Sequence, residues 1–246
     1  SNGLWEAAVI SGALAESTST IRFGPSVLNA PYRPPGLVAT MAETLSEVSG
    51  GRFVLGVGAG NTTDYDDFGI AADPRYSRFA EWLTILHGLL RDGSVQAEGE
   101  YYSAPNAELI LRGPTEIPLV IAGAGPKMLR LAARYATAWN WWTWGQGPAD
   151  AIDTLAPTIA ELDRACEEVG RDPATLGRTM DVYSVVAPGM TSEADEAVIG
   201  GSADQIADAL AQFGTIGVDE VRCDVFPRSV AAIEAMSEVA DLLHGV

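Results

Sequence analysis

Six short apolar segments recur along the chain, and they are rich in β-branched and aromatic residues. Because they do not alternate with polar residues, they are typical of strands in a parallel sheet that is covered on both faces. The segments are residues 21–27, 53–58, 118–123, 138–142, 180–187 and 220–226. The pattern therefore predicts buried parallel strands, with a short β-excursion over 94–111 before the strand at 118.

Amphipathic helices are predicted between the strands. The clearest begins at Asp73-Pro74, with the aspartate as N-cap, and ends at Gly93. Another begins with Ser202 and Gln205 at capping-box spacing and stops at Gly214. The predicted inward faces are Phe79, Trp82, Leu83, Leu86, Leu89 and Leu90; then Ile206, Leu210 and Phe213; and, in a last helix over about 228–244, Val230, Ile233, Met236, Val239 and Leu243.

The regular alternation of strand and helix indicates an α/β fold with right-handed crossovers. An open doubly wound sheet and a closed barrel both satisfy this pattern. The sequence contains no linker, charge block or low-complexity tract that would divide it. We therefore expect a single domain over residues 1–246.

Composition narrows the range of partners. The chain carries 33 acidic against 15 basic residues, a net charge of -18, and no basic patch, so neither nucleic acid nor an anionic membrane surface is an expected partner. No apolar run reaches the length of a membrane span. Cys166 and Cys223 lie far apart in apolar segments, which predicts buried free thiols and a reducing, cytoplasmic location.

A glycine-rich loop follows the second predicted strand, where Gly56, Gly58 and Gly60 occur in GVGAGN. Parallel α/β folds bind ligands at the carboxyl ends of their strands, and glycine there lets a planar ring or a phosphate approach the backbone. The loop fails as a dinucleotide fingerprint because the third glycine is missing and no helix follows directly. Glycines that merely turn the strand into a loop are an equal alternative.

A second glycine loop, Gly123-Ala124-Gly125-Pro126-Lys127, follows the third predicted strand. Pro126 suits the first turn of a helix, whose free N–H groups could hold a phosphate. Lys127 and Arg130 add positive charge in an otherwise acidic chain. Phosphate binding is therefore favoured here over a plain strand-to-helix turn.

Tryptophan is concentrated in the fourth apolar segment and just beyond it. Alternate residues of a strand point to opposite faces, so Trp139 and Trp141 should share one face, and Asn140 and Trp142 the other. These rings either pack against helices or a neighbouring subunit, or those at the end of the strand, with Trp144, line an apolar cavity. The sequence alone does not distinguish the two.

Other chemistry has little support. His87 and His244 fall in predicted helices, away from any strand end, and are expected to be peripheral. No catalytic triad or metal-ligand cluster is evident. The acidic stretch with Asp64, Asp66 and Asp67 is interpreted as a solvated loop rather than a cation site. Catalytic residues therefore remain unassigned.

Residues Ile21 to Gly69 resemble the luciferase-like monooxygenase superfamily, particularly its coenzyme F420-dependent branch. The shared features are a proline-bearing loop, a helix and an S-G-G-R-F strand that ends in G-V-G-x-G. Later motifs agree in order, and they are R-x-x-E at Arg78 and Glu81, EGEYY, IAGAGPKMLRLAARYATAWN and VGRDPATL. The resemblance covers nearly the whole chain.

The resemblance implies a TIM-type (β/α)₈ barrel with a flavin or deazaflavin ring at its C-terminal face, and a non-prolyl cis peptide bond at Ser26-Val27. The implied cofactor-binding residues are Ser26, Val27, Asn29, Ala59, Gly60, Gly123, Ala124, Gly125 and Lys127, and the substrate pocket would include Asn61, Trp142 and Trp144.

Departures from the family pattern limit these expectations. Asn61 replaces a glutamate and Gly145 replaces a lysine of F420-dependent sugar-phosphate dehydrogenases, so a sugar phosphate is not the expected substrate. Residues Gly3 to Ser17 already match the second helix of the barrel, so we expect about six of eight strands and an N-terminally incomplete barrel.

The resemblance implies an oxidoreductase that transfers a hydride between F420 and a small organic substrate, with a homodimer as the assembly. FMN-dependent monooxygenation is the alternative within the family. Two alternatives lie outside it: a nicotinamide-dependent reductase on a doubly wound sheet, and a non-catalytic cofactor-binding protein.

Overall fold

The computed structural model describes residues 5–60, 69–71, 73–143, 146–191 and 199–245. Contacts within the chain divide it into two compact units. The first comprises Ser1–Gly123 with Lys127–Ala138, and the second comprises Ala124–Pro126 with Trp139–Val246.

The described part of the first unit combines a parallel sheet with helices and an antiparallel hairpin. Its helices are α1 (Ala7–Ser17), α2 (Pro35–Ser49), α3 (Arg75–Asp92) and α4 (Pro126–Tyr135), and its strands are β1 (Leu28–Asn29), β2 (Leu55–Gly58), β3 (Ser94–Glu98), β4 (Ser103–Glu108) and β5 (Leu119–Ala122). β2 pairs in parallel with β1 on one side and with β5 on the other, whereas β3 and β4 form the hairpin. The predicted β-excursion is thereby confirmed.

The second unit has the same strand-helix alternation. Its strands are β6 (Ala138–Thr143), β7 (Gly177–Val186) and β8 (Glu220–Phe226), and its helices are α5 (Pro148–Glu168), α6 (Ala203–Ala211) and α7 (Val230–His244). β7 and β8 pair in parallel over most of their length. The α/β class predicted from the alternation is therefore confirmed in both units.

The first predicted strand, residues 21–27, is only partly correct. Phe23 forms an isolated parallel bridge with Phe53, and regular pairing resumes only at β1. Pro25 lies between the two paired positions and has no N–H to donate to a sheet ladder. The segment is therefore extended chain held at two points rather than a continuous strand.

Helix α3 forms the apolar centre of the first unit. The predicted face is confirmed at Phe79, Trp82, Leu83, Leu86 and Leu89, which are all buried, whereas Leu90 is only half-buried. Its predicted start is wrong: Pro74 is the N-cap residue and no side chain caps the helix. The Asp73 carbonyl instead accepts a hydrogen bond of 2.8 Å from Nε of Arg78.

Arg52, from the S-G-G-R-F motif, joins three segments of the first unit. Its guanidinium donates to the carbonyls of Ala15 and Thr18 at 2.8 Å each, at the end of α1, and to the carbonyl of Ile21 at 2.9 Å. Its Nε donates to Ser49 at the end of α2 at 2.8 Å. A cation at the C-terminal ends of two helices also complements their dipoles, so this residue type suits the position.

The predicted capping box of α6 is confirmed. Ser202 N–H donates to Gln205 Oε1 at 2.9 Å, and Gln205 N–H donates to Ser202 Oγ at 3.3 Å. Gly214 is not the stop, because the chain continues as a 3₁₀ turn over Gln212–Ile216 and ends at Gly217, with φ 83°. The inward residues Ile206, Leu210 and Phe213 are buried as predicted.

The apolar stripe predicted for the last helix is mostly wrong. Val239 is buried, but Val230 is 74% exposed and Ile233 is 62% exposed. The buried line runs instead through Val239 and Ala232, which lie seven residues apart on one helix face. A small alanine lets the helix backbone approach the rest of the unit at this point.

Glu81 anchors the turn of the β3–β4 hairpin to α3. Its carboxylate accepts hydrogen bonds from the backbone N–H groups of Tyr101 at 2.8 Å, and of Glu100 and Tyr102 at 3.0 Å each. Burial acts to raise the pKa of Glu81, but these hydrogen bonds and the charge of Arg78 outweigh it, so the pKa is lowered. The R-x-x-E motif is thus explained by hairpin anchoring.

We predict that Glu81→Gln lowers the free energy of unfolding by about 1 kcal/mol at pH 7, because one carboxylate oxygen and the charge are lost. Since the folded pKa is lowered, this contribution is complete above the unfolded value of about 4.3 and disappears as the pH falls through the folded value. Urea unfolding at pH 7 and pH 3.5 measures the difference. Glu98→Gln, in the exposed part of the same hairpin, is the matched control, and equal losses in both variants would contradict the anchoring role.

Candidate functional site

The ends of the parallel strands in the first unit lie level with one another. Asn29 pairs with Gly58, and Val57 pairs with Ile121, so β1, β2 and β5 end side by side. The residues that follow, Ala59 and Gly123, therefore leave the sheet at the same edge. This edge is where parallel α/β folds bind their ligands.

Gly56 and Gly58 admit the segment before β1. A Cβ atom at Gly56 would collide with the carbonyl oxygen of Pro25, and one at Gly58 would lie 2.8 Å from Cγ2 of Val27. Both glycines are fully enclosed within the sheet. The role of these two glycines is therefore packing, which supports a structural rather than a ligand-binding interpretation of Gly56 and Gly58. Ala59 and Gly60 remain as the accessible part of the loop.

The peptide bond between Ser26 and Val27 is cis, as the family resemblance implies. Ser26 is exposed and Val27 is half-buried against the glycines of β2. This segment leads directly into β1, which ends at Asn29.

The first turn of α3 contacts two residues of the first unit that belong to the glycine motifs, Gly60 and Lys127. Arg75 donates a hydrogen bond of 3.1 Å to the carbonyl oxygen of Gly60. The Lys127 ammonium lies 5.2 Å from the centroid of the Tyr76 ring, a cation–π contact. Two cations are thus placed at one edge of an acidic chain. The sequence analysis did not identify Arg75 and Tyr76 as site residues. A signal for Arg75 was present, because it is a basic residue at the start of a helix that follows a glycine loop.

The loop from Gly123 to Lys127 leads directly into α4. Gly123 has φ 142° and Gly125 has φ 84°, conformations that residues with a side chain rarely adopt. A Cβ at Gly125 would meet no atom within 4 Å, so the backbone there borders open space. The N–H groups of the first helical turn have no intrahelical partners, so this end suits an anion.

In the second unit, β6 carries a polar network that was not predicted. Asn140 is buried, donates to Asp181 Oδ2 at 2.8 Å and accepts from Thr179 Oγ1 at 2.6 Å. Arg222 NH1 lies 3.8 Å from Asp181 Oδ1. Asn140 therefore ties β6 to β7, and through Asp181 to β8.

The predicted tryptophan faces are partly visible. Trp139 and Trp141 stack with ring centroids 6.1 Å apart, as residues on one face should, and Trp139 is buried. Trp142 is half-buried and also stacks on Trp141 at 4.8 Å. Asn61 and Trp144 lie outside the described residues, so their assignment to a substrate pocket stays a prediction.

A β-bulge interrupts β7 next to β8. The register shifts between Val182 and Val185, and Ser184 within the bulge has φ 62°, unusual for a residue with a side chain. Burial, followed by the charges of Asp181 and Asp224, raises the pKa of Tyr183. This tyrosine therefore stays a neutral phenol, which is able to donate a hydrogen bond.

The remaining reactive side chains are peripheral or inert. His87 packs against Tyr135 with centroids 4.9 Å apart, and burial, followed by the charge of Arg91, lowers its pKa. Cys166 and Cys223 are free, and burial raises the pKa of Cys223 to about 11, so it is a thiol at neutral pH. Over the described ranges, no cluster of side chains could hold a metal ion. None of the helices within these ranges is long and apolar enough to cross a membrane.

Known proteins match this chain in sequence. Residues 1–207 match the family model of the luciferase-like monooxygenases. A 5,10-methylenetetrahydromethanopterin reductase of Archaeoglobus fulgidus is 32% identical over 174 residues, covering 71% of this chain and 48% of that protein. An F420-dependent glucose-6-phosphate dehydrogenase of Beutenbergia cavernae is 36% identical over 154 residues, covering 61% of this chain and 46% of that protein. The chain spans about half the length of these relatives.

The fold matches solved structures over nearly all of the chain. An F420-dependent secondary alcohol dehydrogenase in complex with an F420–acetone adduct superposes with a TM-score of 0.82 at 19% identity, covering 97% of this chain and 84% of that protein. The predicted fold class, an α/β fold of the TIM-barrel, luciferase-like kind, is thereby confirmed.

We predict that Gly58→Ala lowers the free energy of unfolding by about 1–3 kcal/mol, because the new methyl group is forced against Val27. Val27→Ala removes the opposing atom, so the double variant should recover about 1 kcal/mol of that loss. Urea unfolding of the single and double variants measures this coupling.

Gly56→Ala provides the contrast for the same measurement. Its methyl group meets a backbone oxygen of Pro25, so Val27→Ala should not restore its stability. Equal rescue of both glycine variants, or additive losses at Gly58, would show that the two segments do not pack as described.

Proposed function

The chain belongs to the luciferase-like monooxygenase family, and we propose that it is an oxidoreductase that transfers a hydride between coenzyme F420 and a small organic substrate. The observation that carries this proposal is the common edge formed by the ends of β1, β2 and β5, with cations at its glycine loops. The relatives and the structural neighbour that are named for F420 support the choice of cofactor.

The phosphate of the cofactor would bind at the start of α4. Gly123, Ala124 and Gly125 would supply backbone N–H groups, and an atom added at the Cβ position of Gly125 would have no neighbour within 4 Å, so an anion could approach the backbone there. Lys127 and Arg75 would balance the negative charge. Both cations already make weaker contacts, with Tyr76 and with the Gly60 carbonyl, that hold them at this edge before binding.

The ring of the cofactor would lie against the other loops. Ser26 and Val27 would support one side, because Val27 is fixed against the glycines of β2. Asn29, Ala59 and Gly60 would contact the ring edge from the ends of β1 and β2. Bound F420 would supply the hydride in its reduced form or accept it in its oxidised form, and these residues would orient the ring and exclude water from it.

The substrate proposed is a small organic molecule that is not a sugar phosphate. Asn61 and Gly145 stand where F420-dependent sugar-phosphate dehydrogenases carry a glutamate and a lysine, so the charges that such a substrate requires are absent from those positions of the sequence. Trp142, together with Asn61 and Trp144, is proposed to line the substrate pocket, which favours an apolar body.

We also propose a homodimer in the cytoplasm. Large apolar side chains are exposed at and just before helix α1: Trp5 is 85% exposed and Val9 is 75% exposed. A second copy of the chain would cover them. The free thiols Cys166 and Cys223 are consistent with a reducing compartment.

The proposal predicts that F420 binds more tightly than FMN or NADP when each is titrated separately and followed by fluorescence. Arg75→Met should raise the dissociation constant for F420 about tenfold, because a charge-assisted contact to an anion is lost. Preference for FMN would support the monooxygenase alternative, and tight NADP binding with indifference to both other cofactors would contradict the proposal.

Arg91→Met is the matched control for charge. Arg91 lies on the same helix, about 24 Å from Arg75 along its axis, and its side chain is 64% exposed. This variant should bind F420 like the wild type. An equal loss of affinity in both variants would indicate that net charge, rather than the strand-end edge, controls binding.

A further inference from the structure

A cleft of about 630 Å³ lies in the first unit beside α2, apart from the strand-end loops. One wall is a face of that helix, and the other is the chain that follows β4. The lining residues are Thr40, Glu43, Thr44, Glu47 and Val48 on the helix, and residues 108–113 opposite. The volume lies within the range of about 300–1,000 Å³ that is typical of small-molecule sites.

Polar anchors fix the wall opposite α2. The nearly buried carboxylate of Glu43 accepts a hydrogen bond of 2.9 Å from the N–H of Gly113. Arg112 donates to the carbonyls of Leu90 at 2.6 Å and Arg91 at 3.1 Å, at the end of α3. The wall is therefore held by groups on either side, and the guanidinium of Arg112 lies between the end of α3 and the carboxylate of Glu43.

Large aliphatic side chains of the cleft are left in solvent. Ile110 is 91% exposed and Leu111 is 84% exposed, and Val48 on the facing helix is 54% exposed. The anchors at Glu43 and Arg112 do not involve these side chains, so holding the wall in place does not require them to be apolar. Adjacent exposed aliphatic residues that border a cleft mark a surface that binds an apolar group.

The charge of the cleft is negative. A Cβ at Gly113 would lie 3.4 Å from Oε2 of Glu47 and 3.7 Å from Oε2 of Glu43, so the two carboxylates converge on this point. Glu108 adds a third carboxylate to the described lining, so three carboxylates stand against one guanidinium, that of Arg112, whose Nε lies 3.7 Å from Oε1 of Glu43. With a net charge of -18 on the whole chain, an anionic ligand is repelled here and a cation is attracted.

We propose that this cleft binds a small organic cation with an apolar body, of the alkylammonium or arylammonium class. The apolar part lies against Ile110, Leu111 and Val48, and the ammonium group lies near Glu47 and Glu43. The proposal stands on the first unit alone and does not depend on the cofactor or the reaction proposed above.

Isothermal titration with n-octylammonium below its micelle concentration tests the proposal, with n-octyl sulfate as the probe of opposite charge. The wild type should bind the ammonium at least about tenfold more tightly than the sulfate. Glu47→Gln should weaken ammonium binding about fivefold, and the double variant Ile110→Ser/Leu111→Ser should abolish it. Ile233→Ser, at an exposed isoleucine of the second unit, should bind like the wild type.

Sedimentation of the same proteins tests whether a second copy of the chain, rather than a small cation, occupies the cleft. If the Ile110→Ser/Leu111→Ser variant becomes a smaller assembly than the wild type, a second copy of the chain covers the cleft and the proposal is overturned. Equal binding of the two probes, or unchanged ammonium binding in both cleft variants, also overturns it. Far-ultraviolet circular dichroism confirms that each variant is folded.

Discussion

The described part of the first unit depends on the close approach of the chain before β1 to the backbone of β2. Gly56 and Gly58 have no side chains, and this lets Pro25 and Val27 pack directly on the strand. The contact fixes the position along β2 at which β1 begins. The parallel register then places Asn29 beside Gly58. A methyl group on either glycine would push this segment away from β2. Ser26 and Val27, which are proposed to support the cofactor ring, would move with it. The same two glycines therefore serve packing and the proposed function. A ligand-binding interpretation assigns them to the cofactor, but their direct contacts are with Pro25 and Val27.

Electrostatics at the same edge follow from the position of α3. Its apolar face is buried in the unit, and this burial fixes the first turn, so that Arg75 reaches Gly60 and Tyr76 reaches Lys127. An acidic chain that binds a phosphorylated cofactor must concentrate its few cations where the phosphate lies. The start of α4 adds backbone N–H groups to this charge. The proposed phosphate site is thus a product of helix packing as much as of its own glycine loop.

Local patterns in the sequence predicted the order of strands and helices, the capping box at Ser202 and the buried face of α3, because each depends on residues a few positions apart. The family resemblance located the cis peptide bond. Contacts between distant segments were not predictable in this way. Asn140 joins residues of neighbouring strands about forty positions away, and Arg75 contacts a loop fifteen positions earlier. The bulge at Ser184 likewise has no local signal, since serine does not favour a positive φ. The buried face predicted for the last helix was wrong because periodicity identifies an apolar face but not what covers it.

The central claim is that the strand ends of the first unit form the cofactor site. Hydrogen–deuterium exchange of the amide groups, measured by mass spectrometry with and without saturating F420, tests it most directly. If the strand ends hold the cofactor, exchange becomes slower in the peptides that contain residues 26–29, 58–60 and 123–130, with little change in the β3–β4 hairpin. Unchanged exchange in these three segments, with protection confined to other parts of the chain, would contradict it.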